Sequence, residues 1–371
     1  MDTNESRNNM KIPYINIANH NVAIKQKLLA AAERVIKHGQ LINGPEVSIL
    51  EDKLSKFLGV NYVVGVANGT AALYLSLRGL GVGEGDEVIT VANSYLATVS
   101  SIALTGATPV LVDVDSSMNL DPNLIEKAIT PRTKVIMPVH LTGKPANMEE
   151  ICKISRKYNL EVIEDAAQAI GAEYKGNKIG SFGKTACFSL HPLKNLSALG
   201  DGGFIATNDK ELASWLTKAR NHGHPNRDEC DFWSFNMRLD TIQASFLLEK
   251  LPLLEEQNES RRRNANFYRN NLLNKNIVLP EEESYEICVY HLFMIRIQDR
   301  NKLQKYLYSK GVETKIHYPN PIHKLKASKM MSFDLPLTEK YSKTILSLPI
   351  YPELKKNQLD NIVKLINEYK F

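Results

Sequence analysis

The chain has 371 residues, 43% hydrophobic and 23% charged, with a formal net charge of +5; this length suggests two or three domains, and the apolar content suffices for a large buried core. The mild, dispersed charge excludes the basic stripe of a nucleic-acid binder while suiting an anionic substrate, and four widely spaced cysteines without a CxxC pair indicate neither a zinc cluster nor a disulfide framework. The polar start MDTNESRNNMK lacks an apolar targeting core and no run reaches the roughly eighteen apolar residues of a membrane span, so a reduced, cytoplasmic setting is expected.

Residues 23–37 place Ile24, Leu28, Ala31 and Val35 at helical spacing, and Gly39 closes the segment. A second helix is expected from Pro45, at its first turn, to Gly59, at its end. Strands and helices then alternate: strands over 62–66, 88–91, 108–112, 135–139 and 160–163, with a helix over 71–80 and further helical segments between them. Such alternation predicts an α/β fold with a mostly parallel sheet covered on both faces, and ligands in such sheets sit at the carboxyl ends of the strands.

The strand ends carry the informative residues. Asn68-Gly69-Thr70 lies between a strand and a helix, so it reads either as an ordinary cap or as an anion site at a helix N-terminus. The run Gly79-Leu-Gly-Val-Gly-Glu-Gly85 follows a helix and lacks G-x-G-x-x-G spacing, so it is a plain turn. Tyr95 stands at the start of a helix after the 88–91 strand. The strand at 160–163 leads into Glu164, Asp165 and Gln168; an acid just past a buried apolar strand is costly unless paired, and Asp165 is the better inward candidate, with Glu164 outward or structural.

The stretch ACFSLHPLKNLSALGDGGFIAT, residues 186–207, holds two apolar strands joined by a tight connection that presents Lys194. Ser189 offers a hydroxyl at the strand end, Gly200, Gly202 and Gly203 let backbone approach a ligand closely, and a desolvated lysine amine can form a Schiff base with a carbonyl. Beyond it come a helix over 209–219, then the loop residues His222, His224 and Cys230, which lack a further matched ligand cluster for a metal site. Helices over 238–251 and 255–273 read as the bridge to a smaller α+β domain, dividing the chain into 1–254 and 255–371. That second domain is expected to contain strands at 288–297 and 312–316 and helices at 302–310, 337–346 and 358–369. Inside it lies the proline-rich loop His317-Tyr318-Pro319-Asn320-Pro321-Ile322-His323.

From Ile12 to Pro352 these segments, in this order, resemble the DegT/DnrJ/EryC1/StrS family of pyridoxal-phosphate-dependent sugar aminotransferases. The resemblance implies the fold type I, aspartate-aminotransferase-like architecture and pyridoxal 5′-phosphate as cofactor. It further implies that Gly69, Thr70 and Ser189 hold the cofactor phosphate side, Tyr95 covers one ring face, Asp165 pairs with the pyridine nitrogen, and Gln168 bonds the ring hydroxyl. Lys194 would bond the cofactor and act as base and acid, and Asn236 would reach the other subunit's phosphate across an obligate homodimer. His317 and Tyr318 would lie nearest the sugar.

The implied reaction moves an amino group from an amino acid, usually L-glutamate, to a keto-sugar. A lysine at 194, where dehydratase relatives carry histidine, favours transamination, and the Lys-Asn-Leu-Ser-Ala-Leu-Gly-Asp-Gly-Gly form looks closest to members aminating carbon 3 of a nucleotide-linked keto-6-deoxyhexose. The alternatives are another keto position or a sugar phosphate, a catalytically silent pyridoxal-phosphate-binding regulatory protein, and a metal-dependent hydrolase using the scattered histidines.

Overall fold

The computed structural model describes residues 12–328 and 333–370. Helices α1 (Ile17–Val22), α2 (Lys25–His38) and α3 (Pro45–Leu58) precede the first strand. Leu28, Ala31 and Val35 form the buried stripe of α2, and Gly39 and Gly59 end α2 and α3 in left-handed backbone, where a side chain would be strained. Then follow β1 (Tyr62–Val66), α4 (Gly69–Gly79), β2 (Glu87–Val91), α5 (Ala97–Leu104), β3 (Thr108–Val112), α6 (Pro122–Ala128), β4 (Thr133–Ile136), α7 (Met148–Tyr158) and β5 (Glu161–Asp165). Short β6 (Glu173–Tyr174) and β7 (Asn177–Lys178) lead to β8 (Thr185–Ser189) and β9 (Gly203–Thr207).

The main sheet has the order β1-β9-β8-β5-β4-β2-β3. Every pair from β8 to β3 is parallel, whereas β9 runs antiparallel to both β8 and β1. The connection 190–202 contains no helix to carry the chain across a face, so β9 turns back beside β8. The carboxyl ends of β1, β5 and β8 therefore meet the start of β9 on one edge, and Lys194 hangs in the connection there. Burial on both faces follows from near-continuous apolar strands: Leu50, Leu54, Ile89 and Phe204 belong to one core, and Val64, Leu73, Ile163 and Ile205 to the other.

After α8 (Lys210–Ala219), α9 (Thr241–Lys250) and α10 (Leu254–Asn271) come β10 (Ile277–Val278), β11 (Glu286–Ile287), β12 (Phe293–Ile297), α11 (Arg300–Ser309), α12 (Pro336–Thr344), β13 (Ile345–Leu348) and α13 (Lys356–Glu368). Strands β10, β12 and β13 form a small antiparallel sheet. Its core includes Tyr268, Phe293, Leu303, Leu346 and Ile362, together with Ile12 from the start of the chain.

Four expectations change. The strand expected over 288–297 is divided: Glu286–Ile287 pairs with β6, Tyr290 turns the chain with φ +43°, and only 293–297 joins the small sheet. Residues 312–316 make isolated bridges only, Ile12 with Val312 and Lys315 with Ser347. The helix expected over 337–346 ends at Thr344, and Ile345–Leu348 is a fully buried strand, β13, beside β12. The helix expected from 238 starts at Thr241, because Arg238 bridges Val66 and extends the chain alongside β1. We propose the domain boundary at 254/255; Leu254 packs in the first core and Tyr268 in the second, while Ile12 belongs with the second despite its place in the chain.

Candidate active site

Asn68 caps α4, its Oδ1 accepting from Ala71 N at 2.8 Å. The N–H groups of Gly69 and Thr70, in the first turn, have no partner within the helix and face the edge where β8 ends. The approach is close: a Cβ on Gly69 would lie 2.9 Å from Ser189 Cβ, and one on Gly203 would lie 2.5 Å from the Asn68 carbonyl carbon. Gly69, Thr70 and Ser189 thus share one cradle. Ser189 Oγ itself accepts from His191 N at 3.3 Å.

Asp165 ends β5 and is only 4% exposed. Thr98 Oγ1 donates to its Oδ2 at 2.7 Å and Ala167 N to its Oδ1 at 3.2 Å. Burial pushes its carboxyl above the usual range, opposed by those two hydrogen bonds and by the Lys194 charge. Among the described residues no cation forms an ion pair with it, so the carboxylate is buried with a place for a positive partner. Lys194, half-buried on the β8–β9 connection, has its amine pushed down to about 8 by desolvation, with Asp165 pulling the other way. Its own N–H closes a turn onto His191 O at 2.8 Å.

Gln168 follows on the next turn: its Oε1 accepts from Thr142 N at 2.7 Å and its Nε2 reaches the Tyr318 hydroxyl at 3.5 Å. Tyr95 is 54% exposed, and its ring lies 5.9 Å from that of Tyr318 at a tilt of 48°. The helix expected to open at Tyr95 begins at Ala97, with Tyr95 O accepting from Thr98 N. His317 is half-buried; its Nδ1 pairs with Ser347 Oγ at 2.9 Å, and burial with the Lys194 and Lys315 charges lowers its imidazole to about 4. Tyr318 is pushed above the ordinary phenol value by burial and by Asp165.

The structure therefore brings Gly69, Thr70, Tyr95, Asp165, Gln168, Ser189, Lys194, His317 and Tyr318 to one edge of the sheet. It does not bring Asn236 to them. Asn236 is exposed, bridging Asn221 on an extended segment beyond β1. His222 and His224 lie in the loop next to it, and among the described residues no group of three or more His, Cys, Asp or Glu could hold a metal ion.

Glu164 is not outward but fully buried. It accepts from Gly180 N, Phe182 N and Gly183 N at 3.0, 2.9 and 2.8 Å and pairs with His140 Nε2 at 3.2 Å. Because His140 Nδ1 accepts from Ala146 N at 3.0 Å, the ring carries its proton on Nε2 and donates it to Glu164. Alternation along β5 accounts for the split, placing Glu164 and Asp165 on opposite faces. Sequence reasoning missed His140 and Thr98; His140 directly follows an expected strand, whereas Thr98 lies seven residues past one, inside α5, and carried no such signal.

A cradle of backbone N–H groups, a buried carboxylate without a bonded cation and a lysine amine lowered toward neutrality fit pyridoxal 5′-phosphate, which offers an anion, a ring nitrogen and a carbonyl. The family model described as the DegT/DnrJ/EryC1/StrS aminotransferase family matches residues 22–367. A UDP-2-acetamido-2-deoxy-3-oxo-D-glucuronate aminotransferase of Pseudomonas aeruginosa is 44% identical over 92% of this chain and 96% of its own. A dTDP-3-amino-3,6-dideoxy-alpha-D-galactopyranose transaminase of Aneurinibacillus thermoaerophilus is 43% identical over 97% of this chain and 100% of its own. Among solved structures, DesV of S. venezuelae in complex with a ketimine intermediate has a TM-score of 0.94 at 37% identity, covering 96% of this chain and 98% of that one. NtdA from Bacillus subtilis with bound cofactor PMP has a TM-score of 0.90 at 33% identity, covering 96% and 84%. The chain is a member of the DegT/DnrJ/EryC1/StrS aminotransferase family and a pyridoxal-phosphate-dependent sugar aminotransferase.

Proposed function

We propose that the enzyme takes its amino group from L-glutamate and delivers it to carbon 3 of a nucleotide-linked keto-deoxysugar. The observation that carries the assignment of its site is the placement of Asp165, buried at the end of β5 without a bonded cation, and Lys194, on the connection after β8, at one edge of the sheet, where each charge opposes the shift that burial imposes on the other. Relatives named for 3-oxo and 3-amino sugars, at 44% and 43% identity, support the carbon position. The mildly basic surface suits an anionic nucleotide sugar.

In this reading the first turn of α4, at Gly69 and Thr70, and the Ser189 hydroxyl bind the phosphate. When bound, pyridoxal 5′-phosphate supplies a carbonyl to which amines can bond and a ring that takes up electron density. Asp165 would hold a proton on the ring nitrogen, and the Thr98 hydroxyl orients the carboxylate and favours its charged form. Gln168 orients the ring through its hydroxyl, and Tyr95 covers one ring face and excludes water. Lys194 Nζ, with a pKa of about 8, accepts a proton from the donor's Cα and returns one to the acceptor carbon near neutral pH. His317 and Tyr318, from the second core, close the side where the sugar would lie.

Asn236 completes the site of a second copy in a homodimer. Leu41, Ile42, Leu193, Leu199, Trp233 and Phe235 are exposed on the segments around the Lys194 connection and Asn236, which is the apolar surface that such a partner would cover. Among the described residues no helix is long and apolar enough to cross a membrane. A cytoplasmic setting belongs to the same reading, supported by four cysteines that form no disulfide.

The test is the absorption spectrum of the protein with pyridoxal phosphate, before and after L-glutamate, beside Lys194→Ala. The reading expects a band near the visible edge that glutamate bleaches and that the variant does not form. A wild-type protein that binds the cofactor without any donor-dependent change would point instead to a silent regulatory protein, which the presence of both Lys194 and Asp165 does not favour.

A further inference from the structure

Lys194 is followed by Asn195, whose side chain is 6% exposed and saturated with partners. Its Nδ2 donates to Asn258 Oδ1 at 2.8 Å and to Val289 O at 3.0 Å. Both amide protons are thereby committed, so the contact of Asn195 Oδ1 with His291 Nδ1 at 3.3 Å requires the histidine to donate. That fixes the neutral tautomer of His291, which burial and the Lys194, Arg261, His317 and His191 charges hold well below the usual imidazole value.

Asn258, on α10, extends the chain of bonds. Its Nδ2 donates to Ile170 O at 3.0 Å, two residues beyond Gln168. Gly171 leaves room for this amide: with φ +87° and a would-be Cβ 2.7 Å from Asn258 Nδ2, no side chain fits there. On the other side Tyr290, in left-handed backbone that a bulky residue rarely adopts, is held by Arg261 donating to its carbonyl at 3.2 Å and by its own hydroxyl donating to Glu282 at 2.7 Å. One amide, next to Lys194, thus joins the lysine connection to the segment carrying Asp165 and Gln168 and to the entry of the second core.

We propose that Asn258 is a positioning residue that acts through Asn195 to set Lys194 Nζ against the ring-binding residues Asp165 and Gln168, with His291 as the third point of the mount. The proposal rests on the assignment of Lys194 as the residue that bonds the cofactor. A buried amide could have a scaffolding role alone, and the two roles differ in one observable. Pyridoxamine 5′-phosphate fills the same cradle but has no aldehyde and makes no bond to a lysine, so a misplaced Lys194 leaves its binding intact.

The experiment compares Asn258→Leu and, as a second variant removing a different bond from Asn195, His291→Leu. Binding of pyridoxal phosphate and of pyridoxamine phosphate is measured by absorption and fluorescence titration, and bleaching by L-glutamate by stopped flow. The expected result is weakened pyridoxal phosphate binding, unchanged pyridoxamine phosphate binding, and bleaching slowed roughly 10- to 100-fold, the scale set by a misplacement of about 1 Å. Equal weakening of both cofactor forms, or no change in either, overturns the positioning role. If Asn258→Leu does not yield folded protein, His291→Leu alone decides by the same comparison. A Lys194→Ala protein that still forms the wild-type band removes the underlying assignment and is read from the spectrum independently of Asn258.

Discussion

The Thr98 hydroxyl donates to Asp165 Oδ2 at 2.7 Å, and because it has one proton to give, its 2.7 Å contact with Ser94 Oγ must be one in which Ser94 donates. Ser94, Thr98 and Asp165 form a directed relay from the start of α5 to the end of β5. The relay favours the charged form of the carboxylate, since the Thr98 bond is the largest influence opposing the upward push of burial.

Thr98→Val should therefore raise the Asp165 pKa further. The carboxylate is then lost at a higher pH as the solution is acidified, and the acid limb of the glutamate-dependent bleaching rate moves upward. Losing a hydrogen bond to a charged group costs about 1.5 kcal/mol, so pyridoxal phosphate binding should weaken about 10-fold at neutral pH. A pH profile that superimposes on the wild type refutes the relay.

Lys250 is 2% exposed and donates to Ser197 O at 2.8 Å and to Ser197 Oγ at 3.3 Å. Among the described residues no carboxylate pairs with it, and burial lowers its amine to about 8 from 10.5. Below pH 8 both folded and unfolded chains carry the ammonium and the folded state bears its full desolvation cost. Between about 8 and 10.5 the unfolded state binds the extra proton, so this cost shrinks as pH rises. Lys250→Met should be at least as stable as wild type at pH 7, and the difference between them should narrow toward pH 10 in thermal melts. A variant that melts well below wild type at pH 7 would show that the Ser197 bonds outweigh the buried charge.

Glu164 and its four donors are a second buried cluster, on the face of β5 away from Asp165. Glu164→Gln replaces two acceptor lone pairs with an amide that faces N–H groups. Urea unfolding should show a loss of about 3 kcal/mol, as expected when buried donors to a charged acceptor lose it. Cofactor binding by the folded fraction should be nearly unchanged, because the cluster holds the 180–183 loop and not the cradle.

Subunit mixing tests the shared site. Lys194→Ala and Asn236→Ala should each be inactive alone, and refolding them together should restore about a quarter of wild-type activity, since half of the random dimers are mixed and each mixed dimer has one intact site. If Asn236 serves its own subunit, mixing restores nothing.

The large sheet was legible because its strands are apolar, evenly spaced and separated by helices, so period and length sufficed for 62–66 and 108–112 and, to within one residue, for 88–91. The residues proposed to bind the ring lie at strand ends and inherit that legibility. What escaped depends on pairing between distant segments. Residues 345 and 346 read as a helix end because nothing local shows that Phe293–Ile297 lies beside Ile345–Leu348, and 312–316 looks like a strand although it has only single bridges to Ile12 and Ser347. Thr98, His140, Asn195 and Asn258 are ordinary polar residues in sequence. Only the fold shows which buried groups they satisfy.

The parallel bridge from Ile12 to Val312 has a consequence for how the chain is made. Tyr14 N donates to Glu313 Oε2 at 3.0 Å alongside it, so an early segment is stitched to one that leaves the ribosome 300 residues later. At roughly 5–20 residues per second that interval is on the order of 15–60 s. The strands from Tyr62 to Thr207 are all available well before then, whereas Ile12 must wait in water with its core unbuilt. The nascent chain therefore has the glycine cradle at α4 and the Lys194 connection available first, and the second core closes last, around Ile12 and the late segments.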